Sequence, residues 1–265
     1  AGISLGVQLG PPVGSADMTQ RWANVPLGSE YWNLTRVLHY VSHGGDADQV
    51  HRVWLSDPHI AMHAVRKDWR AEEYLDPKFW GYGPIVLAAK LLKIRDGDPL
   101  ARQEAADALG DLEDFGSGME KAGTALMEAL GDQDWRARSS AATALGKIWG
   151  KVSRNFDGLG HAVAKAASAL TESLKDDGRA SVRAKAAIAL GQIMGRASHN
   201  FDGLGGAVVK AMAALTKALG DADWRVRCSA AEGLSRIWGG DASQKFEGLD
   251  DALAEAVAAL TKASH

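Results

Sequence analysis

Apolar residues recur along most of the chain with the period of an amphipathic helix. One such pattern runs from about Asp157 to Leu174, with Leu159, Val163, Ala166, Ala167 and Leu170 three or four positions apart. A second runs from about Trp135 to Val152 and presents an apolar face formed by Ala141, Ala142, Leu145, Ile148, Trp149 and Val152. A single pair of such helices has no partner for its apolar faces, so the pattern predicts several pairs packed together.

The helical pair is repeated along the chain. The segments "FDGLGHAVAKAASAL", "FDGLGGAVVKAMAAL" and "FEGLDDALAEAVAAL" begin at Phe156, Phe201 and Phe246, each 45 residues after the last. A weaker copy, "DGDPLARQEAADALG", precedes them. This period is typical of helical arrays. We therefore predict an all-α fold, a right-handed α-solenoid of stacked antiparallel helix pairs with about twelve helices.

The second helix of the repeat carries a family resemblance. "GDQDWRARSSAATALGKIWG" and "GDADWRVRCSAAEGLSRIWG" have the form D-x-D-W-R-x-R followed by A-A and a leucine. This resembles the HEAT repeat, in particular the variety shared with phycobilisome-lyase-type proteins, over about residues 90–265. The resemblance implies that the second helices line a concave face. It also implies that aspartate and arginine link neighbouring repeats, at the matching positions Asp132 and Arg138, Asp176 and Arg183, and Asp221 and Arg227.

The chain is predicted to have three parts. Residues 1–28 are rich in glycine and proline and lack periodicity, which indicates an extended arm pinned on the array or on a partner. Residues 29–95 are interpreted as degenerate helical repeats that cap the array at its N-terminal end, because terminal repeats are commonly atypical. Residues 96–265 form the HEAT-like array.

Composition narrows the function classes. The formal net charge is −3 and the isoelectric point is about 6.3, which argues against strong nucleic-acid binding. No apolar run is long enough for a transmembrane segment. Cys228 has no second cysteine to pair with, so we expect a reducing soluble compartment, the cytoplasm or an organelle interior. We also expect the Cys228 thiol to be buried. A targeting segment removed before Ala1 is consistent with this expectation.

Histidines are concentrated near the N-terminal end of the helical region. Two pairs are four residues apart, a spacing that places two imidazoles on one helical face and suits a metal ion: His39 with His43, and His59 with His63. Neither pair has the H-E-x-x-H form of a metalloprotease. The alternative is that these histidines pack or face solvent. No cofactor is predicted, and no catalytic residue is identified.

Basic residues follow the ends of the second helices. They form a candidate partner-binding series, which consists of Lys147, Lys151, Arg154, Arg196, His199 and Arg236. The alternative is that these cations complement helix C-termini. The tryptophans are interpreted mainly as packing residues, with Trp149 and Trp238 in equivalent apolar positions and Trp135 and Trp224 making contacts at helix ends.

These features favour a non-catalytic scaffold. We predict a structural or assembly subunit of a larger multiprotein complex, with an organelle as one setting, that binds proteins through its concave face and N-terminal arm. The resemblance leaves two alternatives open. One is a phycobilin-lyase-like protein that handles a chromophore, and the other is a nucleic-acid-binding HEAT-like protein.

Overall fold

A computed structural model describes residues 58–67, 69–74, 83–113, 115, 118–151, 159–196, 204–239, 251, 254 and 257–258. The chain divides into two compact units, residues 1–89 and 90–265. In the first unit the described residues form α1 (Pro58–Lys67), a 3-10 helix (Trp69–Tyr74) and the first turns of α2 (Gly83–Asp96). Ala61, Ala64, Val65 and Ala71 are buried there.

The described part of the second unit is helical throughout. After α2 the helices are α3 (Pro99–Asp111), α4 (Met119–Ala129), α5 (Trp135–Lys151), α6 (Gly160–Asp176), α7 (Ala180–Arg196), α8 (Gly205–Ala218) and α9 (Trp224–Trp238). The described residues of the whole chain thus hold nine α-helices and no strand, fewer helices than the roughly twelve predicted for the full sequence. Within these residues, every helix is too short or too polar to cross a membrane.

The second unit is built in two layers. Helices α4, α6 and α8 pack side by side in the first layer, and α3, α5, α7 and α9 do so in the second. Each first-layer helix also packs on the second-layer helix that follows it in the chain. Short connections of three to five residues join the members of each pair, so the pairs run antiparallel. This arrangement confirms the predicted stack of helix pairs.

Acidic side chains set the starts of the second-layer helices. Asp98 accepts a hydrogen bond from the Ala101 N–H at 2.8 Å and is followed by a proline in the first turn. Asp134 accepts one from the Arg136 N–H, and Asp223 accepts one from the Arg225 N–H. The repeated acidic stretches before these helices, such as "GDQD" and "GDAD", predict such N-caps, and the structure confirms them. The sequence likewise predicts Asp157, Asp202 and Glu247 as caps of the first-layer helices, and these residues lie outside the described residues.

The core lies between the two layers. Leu145 and Leu190, at equivalent positions of α5 and α7, are fully buried, as the apolar pattern predicts. Second-layer helices approach each other so closely that glycine is required: a Cβ on Gly195 would lie 2.5 Å from the Arg236 carbonyl oxygen, and one on Gly191 would overlap Gly233. The side chains of α5, α7 and α9 are thereby held in a fixed register.

The C-terminal end of the second layer differs from the prediction at two residues. Cys228 is exposed, so the expected buried thiol was wrong. Trp238 is 44% exposed, whereas Trp149 and Met194 at the same position of α5 and α7 are 2% and 0% exposed. Among the described residues α9 is followed by no further second-layer helix, and so nothing there covers the side on which Cys228 and Trp238 lie.

Candidate partner-binding surface

A ladder of arginine–aspartate pairs ties the second-layer helices together. Arg102 of α3 donates from Nε and Nη2 to the two carboxylate oxygens of Asp132, at 2.6 and 2.9 Å. Arg138 of α5 binds Asp177 in the same way at 2.6 and 3.1 Å, and Arg183 of α7 binds Asp221 at 2.8 and 2.8 Å. Each pair joins a helix to the loop before the next second-layer helix.

The third nitrogen of each guanidinium, Nη1, binds within its own repeat. Nη1 of Arg102, Arg138 and Arg183 donates to a backbone carbonyl of the loop before its own helix, at 2.9 Å in each case. Every ladder arginine therefore fixes its own helix start and the next one. This confirms the linking role that the family resemblance implies for Asp132, Arg138, Arg183 and Asp221. Among the described residues Arg227 binds only carbonyls of its own loop.

One ladder residue differs from the residue that the family resemblance assigned. The resemblance placed the middle aspartate at Asp176, but Arg138 binds Asp177. Asp176 is the exposed last residue of α6, while Asp177 begins the loop and also accepts the Arg179 N–H at 2.8 Å. Asp132 and Asp221 make the same bond to the residue two positions later. The spacing agrees with this turn, because Asp132, Asp177 and Asp221 each lie six residues before the arginine of the same repeat.

The ladder carboxylates are held in the charged form. Burial alone would raise the pKa of Asp132, but its hydrogen bonds from Arg102 and the Asp134 N–H, with the charges of Arg102 and Arg138, lower it below the ordinary range. The same opposition lowers the pKa of Asp177, where Arg138 is the bound guanidinium. At Asp221 the hydrogen bond from Arg183 is the largest influence and again lowers the pKa.

A cleft of about 500 Å³ lies on the second layer, at the opposite ends of its helices from the ladder. Residues from the C-terminal halves of α5, α7 and α9 line it. The lining consists of Gly146, Lys147, Gly150, Lys151, Gly191, Gln192, Gly195, Arg196, Ser235, Arg236 and Gly239. The structure thus brings four residues of the predicted basic series to one site, with glycines between them at the close contacts of the helices. We refer to this site, defined by these residues, as the cationic cleft.

The four cations differ in their partners. Lys147 Nζ lies 2.6 Å from Asp111 Oδ1, and Arg236 lies 2.9 Å from Glu232 Oε1 within α9. Lys151 and Arg196 are exposed at the last residues of α5 and α7, and neither forms an ion pair with any described residue. None of the described lining residues is acidic. The cleft therefore has unbalanced positive charge at the end where Lys151 and Arg196 lie.

Other predicted site residues fall elsewhere. Arg154 and His199 of the basic series, and His39 and His43 of the histidine group, lie outside the described residues. His59 and His63 lie one turn apart in the backbone of α1. Where side chains are described, no three His, Cys, Asp or Glu residues are grouped to hold a metal ion. The metal site stays a prediction.

Sequence reasoning missed the polar and glycine part of the cleft. Gln192 and Ser235 line it beside the cations, and Gly146 and Gly191 let α5, α7 and α9 approach. The L-G-x-I shared by α5 and α7 was a signal for these glycines, since it places a glycine at the same position of both helices, where α9 has Ser235.

The tryptophans at the starts of these helices behave differently from each other. The Trp135 ring centroid lies 5.6 Å from the Arg136 guanidinium and 5.9 Å from that of Arg179 in the next repeat. This confirms a contact at the helix end. Trp224, at the start of α9, is exposed instead.

A family comparison agrees with this architecture. The family described as HEAT repeats matches residues 87–191 and 167–264. A search among curated proteins found no match. One similar solved structure is described as the crystal structure of an engineered protein from the Northeast Structural Genomics Consortium. It is 18% identical, with a TM-score of 0.47 over 88% of this chain and 98% of that one. Because the family matches span more than half of the chain, the protein belongs to the HEAT-repeat family.

Proposed function

We propose that this protein is a non-catalytic scaffold, a structural or assembly subunit of a multiprotein complex, that holds an acidic segment of a partner protein in the cationic cleft. The observation that carries the proposal is the convergence of Lys147, Lys151, Arg196 and Arg236 from three helices on a lining without carboxylates. HEAT repeats typically bind proteins, and their stacked helices offer an extended surface for this.

The charge of the cleft favours a carboxylate-bearing partner. Lys151 and Arg196 are exposed and have no ion pair among the described residues. A partner's Asp or Glu can therefore form an ion pair with them without displacing an existing contact. Lys147 already pairs with Asp111, and Arg236 already pairs with Glu232. We therefore expect these two cations to bind the partner segment less strongly. The net charge of −3 favours a protein partner over a phosphate backbone.

The fold supplies the rigidity that such a site needs. The ladder pairs Arg138–Asp177 and Arg183–Asp221 lock α5 to α7 and α7 to α9, the three helices that form the cleft. We infer that the array is a right-handed α-solenoid with its second layer on the concave side. A partner segment lying along that side would then meet the cations in succession.

A binding titration tests the proposal. Fluorescein-labelled octaglutamate is titrated with the full chain at low salt and followed by fluorescence anisotropy. We expect the double substitution Lys151→Gln with Arg196→Gln to weaken binding by at least about threefold, since each exposed ion pair contributes up to about 1 kcal/mol. Added salt should weaken the binding of the unaltered chain through screening.

A matched pair of substitutions separates the site from overall charge. Lys185 on α7 and Lys217 on α8 are exposed and do not line the cleft. Lys185→Gln with Lys217→Gln removes the same two charges and should change the affinity by less than about twofold. If both double variants lose affinity equally, or if the unaltered chain does not bind the probe, the cleft is not an acidic-segment site.

A further inference from the structure

Helix α9 has a bare side where the other second-layer helices are covered. We call this side, defined by Trp224, Arg227, Cys228, Ser235 and Trp238, the outer face of α9. Each of these residues is exposed. Their counterparts one repeat earlier are Ala180, Arg183, Ala184, Gly191 and Met194. Of these, Ala184, Gly191 and Met194 are buried, and Ala180 and Arg183 are partly covered.

In the earlier repeat, α9 itself is the helix that covers the equivalent side of α7. Gly191 lies against Gly233 of α9, and Gly195 lies against the backbone of Arg236 and Ile237. Thus the side of α7 equivalent to the outer face of α9 is buried because another helix packs on it. The outer face of α9 has the positions of an inter-repeat contact, and no helix within the described residues completes it.

Arg227 indicates what kind of helix would complete this contact. Its Nη1 donates to the Asp221 and Ala222 carbonyl oxygens at 3.0 and 3.1 Å, the local bonds that the ladder arginines make. In Arg102, Arg138 and Arg183, Nε and Nη2 bind the two oxygens of an aspartate in the next loop. Among the described residues no carboxylate occupies that place on Arg227. The guanidinium is therefore held in position with its outward pair of donors open.

We propose that the outer face of α9 binds an α-helix of a partner protein, running parallel to α9, whose preceding loop supplies an aspartate to Nε and Nη2 of Arg227. Three ladder pairs in this chain set the geometry, and the complementary charge is a carboxylate. Trp224 and Trp238 at the two ends of the face supply apolar area that such a helix would cover. The proposal does not use the cations of the cationic cleft, whose lining shares only Ser235 with this face.

The chain itself supplies a defined probe for this face. A labelled peptide of residues 130–151 contains Asp132, its loop and all of α5, and it normally packs in parallel against another second-layer helix. It has four basic and two acidic residues, so the cationic cleft is not expected to attract it. Its binding to the full chain is measured by fluorescence anisotropy.

We expect saturable binding that depends on both members of the new pair. Arg227→Gln in the protein, or Asp132→Asn in the peptide, should each weaken binding by about tenfold, because a charge-assisted bidentate pair is lost. The two changes together should cost little more than either alone. Bound peptide should also slow alkylation of Cys228 by iodoacetamide, since that thiol lies on the same face.

Arg225→Gln provides the matched control. Arg225 is also an exposed arginine in the first turn of α9, but its guanidinium is held by Asp223 at 2.8 Å in the same repeat. This variant should bind the peptide within about twofold of the unaltered chain. An equal loss in both arginine variants would overturn the proposal.

Two further results would also overturn it. One is the absence of peptide binding up to about 1 mM, which corresponds to only about 4 kcal/mol of binding free energy. The other is sedimentation showing that the chain alone self-associates through an Arg227-dependent contact, because the occupant would then be a second copy. Failure of the octaglutamate experiment leaves these outcomes unaffected, since Lys151 and Arg196 do not belong to this face.

Discussion

At the residue scale, glycine sets the distance between the second-layer helices. A Cβ on Gly191 would overlap the backbone of Gly233, and backbone atoms have less freedom to move aside than the end of a side chain. Gly206, in the first turn of α8, has open space where its Cβ would be. The same residue type is thus required at one position and replaceable at the other.

We expect Gly191→Ala to lower the free energy of unfolding by about 1–3 kcal/mol, because α7 and α9 must move apart to admit the methyl group. Gly206→Ala, the control, should leave stability unchanged or raise it by about 0.5 kcal/mol through better helix propensity. Chemical denaturation followed by circular dichroism measures both. An unchanged midpoint for Gly191→Ala would show that this close approach is not required.

At the element scale, the ladder makes each helix start depend on the helix before it. Asp177 binds Arg138 of α5 and caps its own turn, so one carboxylate connects two repeats. Asp177 is mostly buried, with 6% of its side chain exposed, whereas its neighbour Asp176 is exposed. Of these two adjacent aspartates, only Asp177 therefore contributes to the contact between repeats.

This pair predicts a dependence on pH. The folded pKa of Asp177 is below its ordinary value of about 3.9, so its stabilisation is present above about pH 4 and is lost as the pH falls through the folded pKa. Asp177→Asn should cost about 2–4 kcal/mol at pH 7, and the difference from the unaltered chain should shrink toward pH 2. Urea unfolding across this range provides the measurement.

Asp176→Asn is the control, with an expected effect within about 0.5 kcal/mol at every pH. A pH-independent cost of Asp177→Asn would mean that the carboxylate charge does not matter. Comparable costs for the two variants would contradict the assignment of Asp177 as the ladder residue.

At the scale of the whole array, stability is shared between neighbours. Helices α3, α5, α7 and α9 each bury apolar residues against the adjacent repeat and against a first-layer helix. In such arrays stability is approximately the sum of repeat and interface contributions. A defect in a central repeat removes two interfaces at once.

We therefore expect Leu145→Asp or Leu190→Asp to unfold the array, since each places an unpaired charge in a fully buried site at a cost above about 4 kcal/mol. Leu100→Asp is the control, because Leu100 is exposed near the start of α3. Thermal melting followed by circular dichroism distinguishes them. Unchanged melting of either core variant would refute the core assignment.

Much of the repeat architecture was predictable because it is local and periodic. The helix starts at Trp135 and Trp224, the aspartate caps and the burial of Leu145 all depend on residues within a few turns of one another. The Asp176 assignment was wrong by one position. Asp177, the residue that accepts the Arg179 N–H, lies six residues before Arg183, as Asp132 does before Arg138 and Asp221 before Arg227, so the spacing in the sequence already indicated it.

The sequence by itself determined that this chain is a stack of HEAT-type helix pairs, because a 45-residue period of amphipathic helices has no other way to bury its apolar faces. Only the tertiary structure decided what each copy does. It brings Lys147, Lys151, Arg196 and Arg236 into one cleft, although they are up to 89 residues apart. Cys228 and Trp238 are bare where their counterparts are buried, because burial depends on whether a neighbouring helix is present.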